Sequence, residues 1–188
     1  MIVATRGFVG FVAGKAEKIA YNHDDSYPAG VGLGVLAWLH AAMRAPDLLR
    51  QRIVALRVVS PDSWPTADDI ERLSTYAGDP ACPSPSLHWW ELLWQTQGDV
   101  EKMLQAGVIV DASDFPVNSS HCEWGYVIDL DVMVFEVYRG QQLQPHNRGR
   151  FVTRQSLPGQ WPVALLTGWP LNQLPGQDEF LDALASTC

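Results

Sequence analysis

The densest run of chemically competent side chains in this 188-residue chain is Tyr21-Asn22-His23-Asp24-Asp25-Ser26-Tyr27. It offers an imidazole, two carboxylates, an amide and a hydroxyl where a strand leaves a β-hairpin. An imidazole beside a carboxylate can move a proton or ligate a metal. Donors and acceptors mixed on a loop held by a sheet also suit capture of a small polar or anionic molecule. On that reading the ligand is lined by Tyr21, Asn22, His23, Asp25 and Tyr27, with Arg6, Tyr138 and Arg139 supplying countercharge. The plain structural alternative is a turn into a helix, with Asp25 or Ser26 capping backbone N–H groups and His23 a polar loop residue.

His121-Cys122-Glu123 opens the second hairpin and is the next candidate. Were the two loops adjacent, His23, Asp25, His121 and Glu123 would match zinc or manganese in ligand type. The spacing carries no HxH, HExxH or CxxC signature, so no metal or other cofactor is expected. Cys122 as a nucleophile competes with the commoner fate of a strand-start cysteine, burial. Arg139, His146, Arg148, Arg150 and Arg154 place five cations or near-cations within sixteen positions of a chain with 13 Lys and Arg in all. They form either an anion-receiving loop or a solvated connection balancing an acidic surface. Trp89, Trp90 and Trp94 cannot all point inward from one helix; core packing and a partner-covering surface both remain open for them.

These groups need elements to hold them. Residues 3–22 read as a hairpin: Arg6, Phe8 and Gly10 fall on one face, Gly7, Val9 and Phe11 on the other, with a turn at Ala13-Gly14-Lys15. A helix is expected over 31–44, and Pro46 suits the first turn of the next. The run 53–59 fits helix or strand, and helix is preferred. Thr66 with Asp69 resembles a capping box opening a helix through Tyr76. The proline-dense 78–86 must be a loop. Helices follow over 87–97 and 100–106, the latter stopped by Gly107. Alternation returns at 123–139, a second hairpin; 163–169 offers a further strand, and a short helix closes near 178–185. The fold class is therefore α+β: an antiparallel sheet built from two hairpins, about 3–22 and 123–139, with the helical middle packed on one side.

Composition bounds the function. The length suits a single domain spanning 1–188, able to bury roughly 70% of its unfolded surface. The net charge of −8 argues against general nucleic-acid binding, which needs a basic surface. No apolar stretch is long enough for a bilayer, and no signal peptide is evident. Cys82, Cys122 and Cys188 are an odd count without metal spacing, so reduced thiols and a cytoplasmic location are expected.

Thr5-Arg6-Gly7-Phe8-Val9-Gly10-Phe11, Tyr21-Asn22-His23-Asp24-Asp25-Ser26-Tyr27-Pro28, Glu123-Trp124-Gly125-Tyr126-Val127-Ile128-Asp129-Leu130-Asp131 and Phe135-Glu136-Val137-Tyr138-Arg139-Gly140 resemble a group of uncharacterised bacterial and phage proteins. That resemblance implies no activity. A more remote likeness is to N-terminal-nucleophile hydrolases, including class II glutamine amidotransferases, which begin with a hairpin followed by a polar loop into a helix. The likeness implies amide hydrolysis through Thr5, which would require cleavage before it, since Ile2 follows Met1 here.

Three readings follow. The first is a binding domain for a small polar or anionic ligand. The second is a hydrolase, metal-assisted or using Thr5. The third is an acidic, phage-type protein that blocks a host complex with its carboxylates and tryptophans.

Overall fold

The computed structural model of the chain describes residues 4–78, 88–154, 156 and 158–185. Most of the expected proline-dense loop, the start of the expected helix at Leu87, Cys82 and Cys188 lie outside those residues.

Strands β1 (Gly7–Ala13) and β2 (Ala16–Asn22) form the first hairpin. A wide π-type turn over Pro28–Gly32 leads into helix α1 (Leu33–Ala42), and α2 (Pro46–Ala55) follows with its proline in the first turn. The ambiguous run after Ile53 is helix first and then strand: α2 ends at Ala55, and β3 (Arg57–Val59) begins two residues later. Helix α3 (Ala67–Leu73) opens on the expected capping box, in which Thr66 Oγ1 accepts the Asp69 N–H and the Asp69 carboxylate accepts the Thr66 N–H. The expected 87–97 helix breaks at Leu93, leaving α4 (Trp89–Leu92) and a 3-10 turn at Trp94–Thr96. Helix α5 (Val100–Ala106) ends at Gly107, whose φ of 69° is the left-handed conformation that ends helices and favours glycine. Then come β4 (Val108–Val110), β5 (Trp124–Asp129), β6 (Val134–Arg139), β7 (Ala164–Pro170) and α6 (Gln177–Ala185).

The main sheet has the order β2-β1-β5-β6-β7. Both hairpins share it, as expected, and three of its four strand pairings are antiparallel. The exception is the joint between the hairpins: β1 pairs with β5 in parallel, Gly7 opposite Trp124 and Val12 opposite Asp129. This single parallel pair fixes the geometry of everything at the sheet's end. β1 and β5 both start there, and β2 and β6 both finish there, so Asn22, Gly7, Trp124 and Arg139 fall in one row. An antiparallel joint would have sent Asn22 and Arg139 to opposite ends. A second, two-stranded parallel sheet pairs β3 with β4 and lies along β2, where Ala112 N–H donates to Ile19 O at 3.0 Å.

Both sheet faces are covered, which explains why every residue of β1 is buried. Strands buried on both faces read as continuous apolar runs instead of alternating ones. One face carries Val9, Phe11, Tyr126, Ile128, Phe135 and Val137 against α1, α2, α5 and α6. The other carries Phe8, Val12, Ile19, Val127 and Tyr138 against Phe151 and Val163 from the segment after β6. Arg150 pins that segment: its guanidinium donates to Asp129 Oδ2 at 2.6 Å and to Glu136 Oε2 at 2.9 Å, with Glu17 3.7 Å away. A third apolar cluster of Leu73, Trp89, Leu92, Leu93, Ala106 and Val108 holds α3 and α4 beside the small sheet. No helix among the described residues is long and apolar enough to cross a membrane.

Candidate functional site

The loop leaving β2 is built from within. Asn22 is buried, and its amide donates to Ser26 Oγ at 2.6 Å and to the Asp24 carbonyl. Ser26 N–H donates to Thr5 O at 3.0 Å, and the Tyr126 hydroxyl donates to Ser26 O at 2.7 Å. Val31 N–H closes the turn on Asp25 O at 2.9 Å. Asp25 takes a φ of 56°, a conformation that aspartate and asparagine tolerate better than other side-chain-bearing residues. Asn22 and Ser26 are thus the frame of the loop, and His23, Asp24 and Asp25 are what it presents.

They are presented to a cleft of about 390 Å³ lined by Asn22, His23, Asp24 and Asp25 on one side and by Trp94, Gln97, Asp99 and Lys102 among others on the opposite side. The two walls are bonded together. His23 N–H donates to Gln97 Oε1 at 3.0 Å, and the His23 ring lies 6.2 Å from Trp94, tilted by 42°. With its oxygen so used, the Gln97 amide keeps its NH2 group as a donor. The Tyr21 hydroxyl lies 2.9 Å from His23 Nδ1. Burial raises the Tyr21 pKa, opposed by the charge of nearby Arg6, so the phenol stays protonated at neutral pH. Lys102 Nζ sits 3.2 Å from Asp99 Oδ2, whereas Asp24 and Asp25 form no ion pair among the described residues, with Arg6 and Asp24 both acting electrostatically on Tyr21.

Of the eight ligand-binding residues read from the sequence, Asn22, His23 and Asp25 line this cleft, and Tyr21 lines an apolar crevice beside it. Tyr27 is 41% exposed, with its ring against Gly30. Arg6 lies outside the lining; its carbonyl accepts the Glu123 N–H at 2.8 Å. Arg139 shares the end of the sheet but stands three strands from Asn22, about 14 Å away at sheet spacing, with its guanidinium 4.5 Å above the Trp124 ring. Tyr138 is fully buried and donates its hydroxyl to Glu136 Oε2 at 2.8 Å. The countercharge expected from the second hairpin is therefore spent inside the fold.

The residues missed from the sequence are those of the opposite wall: Trp94, Gln95, Gln97, Gly98, Asp99 and Lys102. The one signal toward them was the three-tryptophan conflict. It resolves as Trp89 buried, with Trp90 and Trp94 exposed by 56% and 42%.

His23, Asp25, His121 and Glu123 are not gathered into a metal-binding set, and no group of three or more His, Cys, Asp or Glu suited to a metal occurs among the described residues. His121 instead contacts Asn118 Nδ2 at 3.0 Å and Ser120 Oγ at 3.3 Å. Cys122 is wholly buried, and burial, reinforced by the charge of Glu123, pushes its thiol pKa well above the usual range. A buried neutral thiol is a poor nucleophile. The basic stretch serves the fold: besides Arg150, Arg154 pairs with Glu17, and His146 donates from Nε2 to Pro162 O at 2.9 Å while Nδ1 accepts the Arg148 N–H at 3.1 Å.

Set against family models, curated proteins and solved structures, the chain matches no family model, no curated protein and no solved structure.

Proposed function

We propose that this protein binds a small polar molecule in the cleft between the Asn22–Asp25 loop and the Trp94–Lys102 segment. The observation that carries the reading is the direct tie between the walls, His23 N–H to Gln97 Oε1. It sets donors and acceptors from two distant parts of the chain around one opening without filling it. A loop framed by buried Asn22 and Ser26 keeps those groups in place before a ligand arrives, which lowers the ordering cost of binding. The lining has more free carboxylate than free cation, so a cationic or neutral polar ligand is favoured over an anionic one.

The test is a titration of the isotope-labelled protein with a library of small polar fragments, read by amide chemical shifts. Binding fragments should shift residues 22–25 and 94–102 together, and His23→Ala should weaken them by about tenfold or more. Fragments that bind only elsewhere, or that bind the His23→Ala protein unchanged, would remove the proposal.

A further inference from the structure

The cleft has an apolar annex. A crevice of about 110 Å³ opens between β2 and the turn before α5, lined by Ala20, Tyr21, Trp90, Leu93, Met103 and Ile109 among others, with almost no polar surface. It is not a separate site. Gln97 lines both spaces, and Tyr21, a wall of the crevice, reaches His23 in the cleft through the 2.9 Å contact to Nδ1. The segment 90–97 alternates between them: Trp90, Leu93 and Thr96 face the crevice, whereas Trp94 and Gln95 face the cleft. One short stretch of chain therefore shapes an apolar and a polar chamber within a side chain's reach of each other.

Each chamber narrows the chemistry of its occupant. The crevice is smaller than the roughly 150 Å³ apolar cavity that stays dry and accepts benzene in another protein, but it is not enclosed, and Trp90 in its lining is 56% exposed. It suits one ring or one branched alkyl group, and it is too small for a lipid chain or a peptide side of several residues. In the cleft, Asp24 and Asp25 are exposed carboxylates, and the one ammonium of the lining is paired to Asp99. Trp94 adds an indole that is 42% exposed, and aromatic faces attract cations.

Building on the proposed cleft, we infer that its ligand is an amphipathic amine, with an ammonium group held by Asp24, Asp25 and the Trp94 face and a single ring or branched alkyl group seated in the crevice. Four separate features converge there: two carboxylates without an ion pair among the described residues, an indole beside them, an apolar hole of one-ring size, and a shared wall at Gln97.

The experiment compares four probes on the same labelled protein: 2-phenylethylamine, 2-phenylethanol, 3-phenylpropionate and methylamine. Phenylethylamine should bind at least about tenfold more tightly than the other three, shifting the indole N–H signals of Trp90 and Trp94 together with the amides of His23 to Asp25. Ala20→Ile, which fills the crevice, should reduce phenylethylamine to the affinity of methylamine. Asp24→Asn combined with Asp25→Asn should reduce it to the affinity of phenylethanol; asparagine keeps the left-handed backbone that residue 25 needs. Methylamine equal to phenylethylamine would overturn the role of the crevice. Phenylethanol or phenylpropionate equal to phenylethylamine would overturn the amine. Silence from all four probes overturns the inference, while polar fragments bound at residues 22–25 and 94–102 would still uphold the cleft itself. The ranking on the unmodified protein decides the matter, so a variant that fails to fold leaves the test intact.

Discussion

Gly98 packs so closely on Asn22 that a Cβ at position 98 would stand 2.9 Å from Asn22 Oδ1 and 2.8 Å from Val31 Cγ2. This contact joins the two walls of the cleft at their base. Gly98 also has a φ of 71°, a region where a side chain is strained at a cost of about 1–3 kcal/mol. Glycine is required twice over, by backbone conformation and by space.

Gly98→Ala should therefore lose roughly 2–3 kcal/mol of stability, strain and crowding together, measured by urea denaturation. Its amide spectrum should move at Asn22 and Val31 and change little in β6 or β7. A loss below about 0.5 kcal/mol would show that the walls are not in contact as described.

The Tyr21 hydroxyl and His23 Nδ1 stand 2.9 Å apart, and which of them donates depends on the imidazole tautomer. The expected arrangement has the phenol donating to Nδ1, with the proton of the neutral ring on Nε2. Tyr21→Phe removes the donor from a half-buried bond and should cost about 0.5–1.5 kcal/mol. Long-range proton–nitrogen spectra should show one Nε2–H tautomer in the unmodified protein and a mixture in the variant. A single Nδ1–H tautomer in the unmodified protein would refute the assignment.

Arg150 is the electrostatic pin of the second sheet face. Its side chain is 21% exposed, and those of Asp129 and Glu136 are 6% and 15% exposed. Removing one partner of a buried pair costs about 3–5 kcal/mol because the other charge stays behind unpaired; partial exposure puts Arg150→Met near the lower end. Arg150→Lys should recover little, since a point charge cannot bridge two carboxylates as the guanidinium fork does. Guanidinium chloride denaturation of both variants is the measurement, and a cost under about 1 kcal/mol for Arg150→Met would contradict the pinning role.

How far the sequence carried is clearest at particular residues. Thr66, Gly107 and Pro46 took their expected places because caps and stops depend on local backbone chemistry alone. Asn22, His23 and Asp25 were singled out because a polar run after an alternating strand is a local pattern too, and they line the cleft. The parallel joint of β1 and β5 was not legible, because alternation says which face a residue takes and nothing about the direction of a partner strand. The two three-residue strands, Arg57–Val59 and Val108–Val110, are too short to show a period. The second wall was missed for a related reason: Gln97 reaches His23 across 74 positions, and nothing in Thr96-Gln97-Gly98-Asp99 distinguishes a cleft wall from an ordinary turn. Arg139 ends β6 in the same row as Asn22, but whether a side chain at a strand end meets solvent or core depends on the segment packed over it.

Glu101 gives the fold a pH dependence that can be assigned to one residue. Bonds from Arg52 at 3.0 and 3.1 Å and from Trp38 Nε1 at 2.9 Å favour its charged form, with a smaller contribution from Gln105. They outweigh the opposing effect of burial and hold its pKa down to about 2, from an ordinary 4.5. A carboxylate with a lower pKa in the folded state than in the unfolded state stabilises above the unfolded value. That contribution is full above pH 4.5 and is lost as pH falls toward 2. Because the side chain is 41% exposed, solvent screening keeps the effect well below what so large a shift would mean for a buried group. Glu101→Gln should be less stable than the unmodified protein at pH 7, by about 1 kcal/mol. The gap should close between about pH 4.5 and 2, because only the unmodified protein has this contribution to lose. Urea denaturation of both proteins at stepped pH measures it; two curves running parallel through that window would show that Glu101 is not the group responsible.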